Sequence, residues 1–179
     1  ADVAVLPKDD GKSPILVTPI GDDCTTTIKR LNLDARRTVA VDPTGNVAAR
    51  ATVMTAPGAS AAARDSVTAA LLKAGTKVTA INDSPGFIAQ RMRGQIANLG
   101  CEMAQQRIAS PADIDTAMTL GLNYPLGPLA IVDDLGVSTT FQILTRLQAI
   151  TGDDRYRPSQ WLRRRAMLGL KAHTPDEAA

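Results

Sequence analysis

The rhythm of hydrophobic and polar positions changes at Ser84. Ahead of it, short apolar runs recur between polar turns: Val3 to Leu6, Pro14 to Ile20, Arg37 to Val41, Ala51 to Thr55 and Thr76 to Ile81. β-Branched residues dominate these runs, and Asp9-Asp10-Gly11 and Asp42-Pro43-Thr44-Gly45 punctuate them, so five strands are expected. The run from Pro14 to Ile20 carries little polarity and reads as a buried strand. Asp22 or Asp23 can cap a helix from about residue 23 to 31, with Ile28 and Leu31 apolar. An Ala-rich helix is predicted over residues 60–73, with Val67, Leu71 and Leu72 periodic and Gly75 as its stop. Strands alternating with helices favour a largely parallel sheet with flanking helices.

From Ser84 onward the period becomes helical. Ser84-Pro85-Gly86 ends the preceding strand, and Pro85 suits a first helical turn. Ile88, Met92, Ile96, Leu99 and Met103 then form one apolar stripe of a helix of roughly six turns. Gly94 and Gly100 interrupt it, which is tolerable if another helix packs close there. Ser110 caps a second helix, with Pro111 in its first turn and Asp113 and Asp115 at the positive end of its dipole. Ile114, Ala117 and Met118 are its expected inner face and Gly121 its stop. Gly127-Pro128 opens a third, with Leu129, Val132 and Leu135 inward and Gly136 at its end. Ser138 is expected to cap a fourth, with Phe141, Leu144, Leu147 and Ile150 inward and Gly152 ending it. A last helix carries Trp161, Leu162 and Leu168 as apolar positions and Arg163-Arg164-Arg165 as an exposed face, and residues 173–179 read as a frayed tail.

Composition narrows the classes. A hydrophobic content of 44% and a charged content of 21% are those of a soluble globular protein. A net charge of +2 is too small to argue for nucleic acid or an anionic membrane, and aromatics at 3% offer no stacking platform for single strands. No apolar run approaches the length that spans a bilayer. Two cysteines, Cys24 and Cys101, and a single histidine argue against a metal site and suit a reducing cytoplasm. Ala1 leads straight into a strand-like run, the pattern of a fragment cut from a longer polypeptide or of a processed chain.

One stretch carries a resemblance. Asp83-Ser84-Pro85-Gly86-Phe87-Ile88, Arg91, and then the run from Ala109 through Asn123-Tyr124-Pro125-Leu126-Gly127-Pro128-Leu129 to Gly136 resemble the C-terminal helical domain of the 3-hydroxyacyl-CoA dehydrogenase family, from about residue 81 to 170. The N-terminal part resembles the second half of that family's nucleotide-binding domain. The resemblance implies an α/β unit, a partial and degenerate Rossmann-like one, over residues 1–83, followed by an all-α helical domain over residues 84–179. It implies that the parent enzyme oxidises 3-hydroxyacyl-CoA to 3-oxoacyl-CoA with NAD in fatty acid metabolism. It also implies self-association or intramolecular pairing through the helical domain, as in a dimer.

The chemistry of that reaction is missing from the expected places. A dinucleotide needs a Gly-x-Gly-x-x-Gly turn whose amides meet the pyrophosphate, and Gly45 and Gly58 stand alone in loops. Where the family has a catalytic-site Ser after its strand, Pro19-Ile20-Gly21 follows; Asp42 stands at the place of its catalytic His, and Met54 near the place of the Glu that orients that His. Aspartate, with a pKa of about 4, is a poor base for an alcohol at neutral pH, and methionine holds no charge. No residue here is therefore read as catalytic, cofactor-binding or metal-ligating, and no NAD is expected on this chain. Gln90, where the family has an Asn near its substrate, is the one substrate-proximal candidate; an inter-helix or surface amide is the alternative. Arg91 is expected in a structural ion pair with Asp133 or Asp134. The expected role is the C-terminal, scaffolding and dimerising portion of a dehydrogenase. The alternatives are a free-standing interaction module on the same scaffold, or a CoA-binding domain without NAD.

Overall fold

The computed structural model describes residues 9–176. The expected strand at Val3 to Leu6 lies outside them. The chain divides into two compact bodies: residues up to Pro19 with Asp23–Ser84, and Ile20–Asp22 with the residues from Pro85 onward.

The first body is a four-stranded sheet in the order β1 (Ile15–Val17), β2 (Thr38–Val41), β3 (Arg50–Thr55), β4 (Lys77–Asn82). Helix α1 (Cys24–Leu31) joins β1 to β2, and α2 (Ala61–Lys73) joins β3 to β4. Both of those pairs are parallel, as a helical crossover requires. The sheet is nonetheless mixed, not largely parallel, because β2 and β3 pair antiparallel, with Ala40 opposite Met54 and Val41 opposite Val53. Residues 42–49 contain no helix, and so short a link can only turn the chain back on itself. Strand β1 is shorter and more open than its composition predicts: Leu16 is 53% exposed, because β1 is an edge strand of the described sheet. Val39, Val41, Ala51 and Val53 pack with Ala63 and Val67 of α2 to form the core. Asp23 caps α1 by accepting from Thr26 N, and Asn32 ends it in the left-handed region at φ 53°.

The second body is helical: α3 (Ala89–Gln105), α4 (Pro111–Leu122), α5 (Pro128–Leu135), α6 (Val137–Thr151), a 3-10 turn (Asp154–Tyr156) and α7 (Gln160–Leu168). Its core joins Ala97, Cys101, Ile114, Leu129, Val132, Ile143, Leu144, Leu147, Trp161 and Leu162. None of the described helices is long and apolar enough to cross a membrane.

Helix α3 differs most from its sequence reading. It starts at Ala89, because Gly86 and Phe87 both take positive φ, at 70° and 49°, which a right-handed helix excludes. The predicted period is present but its phase is shifted, with Ile96 and Met103 only partly buried against the core. Ile88, Met92 and Leu99 are more than half exposed, whereas Gly94, Ala97, Gly100, Cys101 and Ala104 are buried. The small residues recur at the same helical spacing, and they let partners approach closely. A Cβ on Gly94 would lie 3.3 Å from Ile143 Cγ2, and one on Gly100 would lie 2.2 Å from Pro128 Cβ. Large side chains of α5 and α6 fill the seam that small residues of α3 open.

Other boundaries shift by local chemistry. Helix α4 runs through Gly121 and stops at Asn123, which takes φ 54° two residues before Pro125. Its inner face is narrower than expected: Ile114 is buried but Ala117 is exposed. Gly136, not Ser138, occupies the N-cap of α6, and Ile143 takes the inward place assigned to Ile150. In α7, Leu168 is 71% exposed and Arg165 is buried, the reverse of the expected pattern. Arg165 lies over the Trp161 ring, 3.2 Å from its centroid, and donates through Nε to Thr174 O at 2.9 Å.

Candidate functional site

Gln90 is the second residue of α3, and its side chain is fully buried. Its Oε1 accepts the amide of Gly21 at 2.8 Å. Gly21 takes φ +79°, and a Cβ there would lie 2.7 Å from Arg146 Cβ and 3.0 Å from Ile143 Cα. Residues 20–22 are fixed further by Gly86 N on Asp22 O at 3.3 Å and by Arg146 Nη1 on the buried Asp22 Oδ1 at 3.5 Å. The carboxamide oxygen of Gln90 is therefore engaged in holding this loop against α6.

Asp42 and Met54, read from the sequence as standing where the family has its acid–base pair, lie in the sheet body. Asp42 follows β2 and is 4% exposed. Its Oδ1 accepts from Thr44 N at 3.0 Å and from Thr44 Oγ1 at 2.8 Å, which closes an Asx turn. Met54 is buried in β3, opposite Ala40. Neither group is built to take a hydroxyl proton.

A bound dinucleotide would need free amides at a strand-to-helix turn. At the start of α1, Cys24 N and Thr25 N donate to the two oxygens of Asp83, at 2.7 and 3.0 Å, and Thr26 N donates to Asp23 at 2.6 Å. Carboxylates of the chain itself thus fill the place of a phosphate. The turn between β3 and α2 holds a single glycine, Gly58. Neither turn is the glycine-rich one that a dinucleotide needs.

A cluster not foreseen from the sequence lies in the helical body. Asp115 of α4 accepts Leu129 N at 2.7 Å and Ala130 N at 3.0 Å, capping α5 from a different helix. The same carboxylate lies 2.9 Å from His173 Nε2, while His173 Nδ1 lies 2.8 Å from Asp133 Oδ2. Asp133 Oδ1 accepts Ala172 N at 2.7 Å. The segment read as a frayed tail is anchored as far as Asp176, which pairs with Arg165 at 3.2 Å. One signal for this was available. Gly127 begins α5 without a capping side chain, so its amides require an acceptor from elsewhere. A Cβ at Gly127 would sit 2.4 Å from Asp115 Cα, so only glycine admits that acceptor.

Burial sets the thiols. It pushes Cys101 up to about 12, and with the nearby Asp83 carboxylate it pushes Cys24 up to about 11. No group of His, Cys, Asp and Glu among the described residues is placed to hold a metal ion.

A family model described as "3-hydroxyacyl-CoA dehydrogenase, C-terminal domain" matches residues 86–177. The chain belongs to the 3-hydroxyacyl-CoA dehydrogenase family. It is 38% identical over 111 residues to a Deinococcus radiodurans protein named "Probable 3-hydroxybutyryl-CoA dehydrogenase", covering 62% of this chain and 40% of that one. It is 44% identical over 98 residues to the 3-hydroxyadipyl-CoA dehydrogenase of Escherichia coli, covering 55% of this chain and 21% of that one. The crystal structure of 3-hydroxybutyryl-CoA dehydrogenase from Escherichia coli matches with a TM-score of 0.76 and 31% identity, over 94% of this chain and 38% of that one. An (S)-3-hydroxybutyryl-CoA dehydrogenase from Ralstonia eutropha shares the fold, with a TM-score of 0.79 at 22% identity over 92% of this chain and 61% of that one. The chain thus spans only about two fifths or less of the curated relatives it matches. These likenesses agree with a partial Rossmann-like unit joined to a dehydrogenase helical domain.

Within this 3-hydroxyacyl-CoA dehydrogenase domain, α3 forms an ion pair with α5 through Arg93, two residues on from Arg91. Asp134 pairs with Arg93. Arg91 donates to Pro85 O at 3.0 Å and stands over the Tyr156 ring, 5.8 Å from its centroid. It secures the turn that precedes α3.

Proposed function

We propose that this chain is the C-terminal portion of an NAD-dependent dehydrogenase of the 3-hydroxybutyryl-CoA type. The parent enzyme oxidises 3-hydroxyacyl-CoA to 3-oxoacyl-CoA, and this portion acts as scaffold and self-association surface, not as the seat of the reaction. The observation that carries the reading is the family match over residues 86–177, joined to a sheet in which Asp42 is committed to its own turn. The names of the relatives support the substrate class. The capped start of α1 supports placing NAD on residues of the parent outside this chain.

The proposed division is an α/β part over residues 1–83 and a helical part over residues 84–179. Gln90 serves in it as a positioning residue for residues 20–22. The exposed Ile88, Met92 and Leu99 of α3 support self-association through the helical part. Two buried free thiols suit a cytoplasmic setting.

An assay of the 179-residue chain with acetoacetyl-CoA and NADH tests the assignment. No turnover above buffer is expected. Appreciable turnover would place the reaction inside this chain and overturn the reading.

A further inference from the structure

His173 is held between two carboxylates. Its Nε2 faces Asp115 Oδ2 at 2.9 Å and its Nδ1 faces Asp133 Oδ2 at 2.8 Å. Ionised carboxylates only accept hydrogen bonds, and neutral imidazole carries one N–H and one bare lone pair. The neutral ring can therefore satisfy one of these partners and must turn a lone pair toward the other. The imidazolium satisfies both.

We propose that His173 is a proton-controlled latch: protonated on both ring nitrogens it locks the segment after α7 onto α4 and α5, and on losing a proton it lets that segment loosen. Asp115 also holds the first amides of α5, so the latch ties α4, α5 and the chain end through one carboxylate. Charged groups on each neighbouring element fit this role. Asp115 faces the ring from α4 and Asp133 faces it from α5, while Asp134 is turned to Arg93. Arg165 of α7 is directed to Thr174 O and Asp176, and Lys171 on the same segment is exposed. Ala172 O, which accepts Trp161 Nε1 at 2.9 Å, and Thr174 O, which accepts Arg165 Nε at 2.9 Å, are anchors of the segment that do not involve the ring.

The direction of titration agrees. Burial opposes charging the ring, but the hydrogen bonds to Asp133 and Asp115 and the charges of these carboxylates together outweigh it and lift the imidazole above its ordinary value. A raised folded-state value means that the latch stabilises fully below the unfolded value of about 6.5. That contribution is lost as pH rises through the higher folded value.

His173 is the chain's single histidine, so its imidazole proton resonance titrates without overlap. The expected midpoint lies above about 6.5, and Asp133→Asn lowers it. Urea melts of His173→Gln and of the unaltered chain should differ more at about pH 6 than at about pH 9. A midpoint at or below the ordinary value, a midpoint unmoved by Asp133→Asn, or a stability gap equal at both pH values would overturn the latch. Asp115→Asn also disturbs the α5 cap; if it fails to fold, Asp133→Asn and His173→Gln carry the test alone.

Discussion

Gln90 Oε1 and the amide of Gly21 lie 69 residues apart in the chain and meet at 2.8 Å in a fully buried setting. Removing that acceptor strands a buried N–H. Gln90→Leu should therefore cost about 1–3 kcal/mol of unfolding free energy, read from urea melts. Gly21→Ala disrupts the same loop through its positive φ, so the two substitutions combined should cost less than their sum.

Gly100 should not tolerate a methyl group. Its Cβ would meet Pro128 Cβ at 2.2 Å, with Leu129 Cδ2 at 3.3 Å. Gly100→Ala should destabilise by about 1–3 kcal/mol through overpacking, despite the better helix propensity of alanine. Gly45→Ala is the control: nothing lies within 4 Å of its Cβ, and the change should stay within about 0.5 kcal/mol. Thermal melts of the two proteins separate the effects.

Helix positions were legible in the sequence because their punctuation is local. Ser110-Pro111, Gly127-Pro128 and Gly136 act within a turn of themselves, and they mark α4 and α5 in the structure. The phase of α3 was not legible. Two apolar faces share one period, and the choice between them rests on the shape of α5 and α6, which the α3 sequence does not contain. The antiparallel step from β2 to β3 was implicit in the missing helix between them. The site was half legible: Asp42 and Met54 stand out as unsuitable residues, but the Asp115–His173–Asp133 chain joins residues up to 58 positions apart and leaves no periodic trace.

Arg165 should prove structural. It stacks on Trp161 and donates to Thr174 O, so Arg165→Ala should cost about 3 kcal/mol from the lost cation–π and charged hydrogen bonds. Trp161 is the only tryptophan, 5% exposed, so its emission should shift to the red in the same variant.

The outward face of α3 should govern association. Met92→Lys with Leu99→Lys places charge on side chains that are 53% and 59% exposed, so folding should change by no more than about 0.5 kcal/mol per site. Light scattering after size exclusion should show the unaltered chain as the proposed dimer and the variant as a monomer.

Both cysteines should ignore thiol reagents in the native state. Cys24 and Cys101 are fully buried, with their thiols raised to about 11 and about 12. Neither should react with iodoacetamide at pH about 8 until urea unfolds the chain, as mass spectrometry would show.

The hold of Asp83 on the first amides of α1 has a further effect. A tethered carboxylate acts as a competitor at roughly millimolar effective concentration that dilution cannot remove. Any phosphate approaching that helix end would have to displace an anion that is part of the polypeptide. The turn is thus insulated from any nucleotide or free phosphate in solution, and its geometry should hold steady whether they are scarce or abundant.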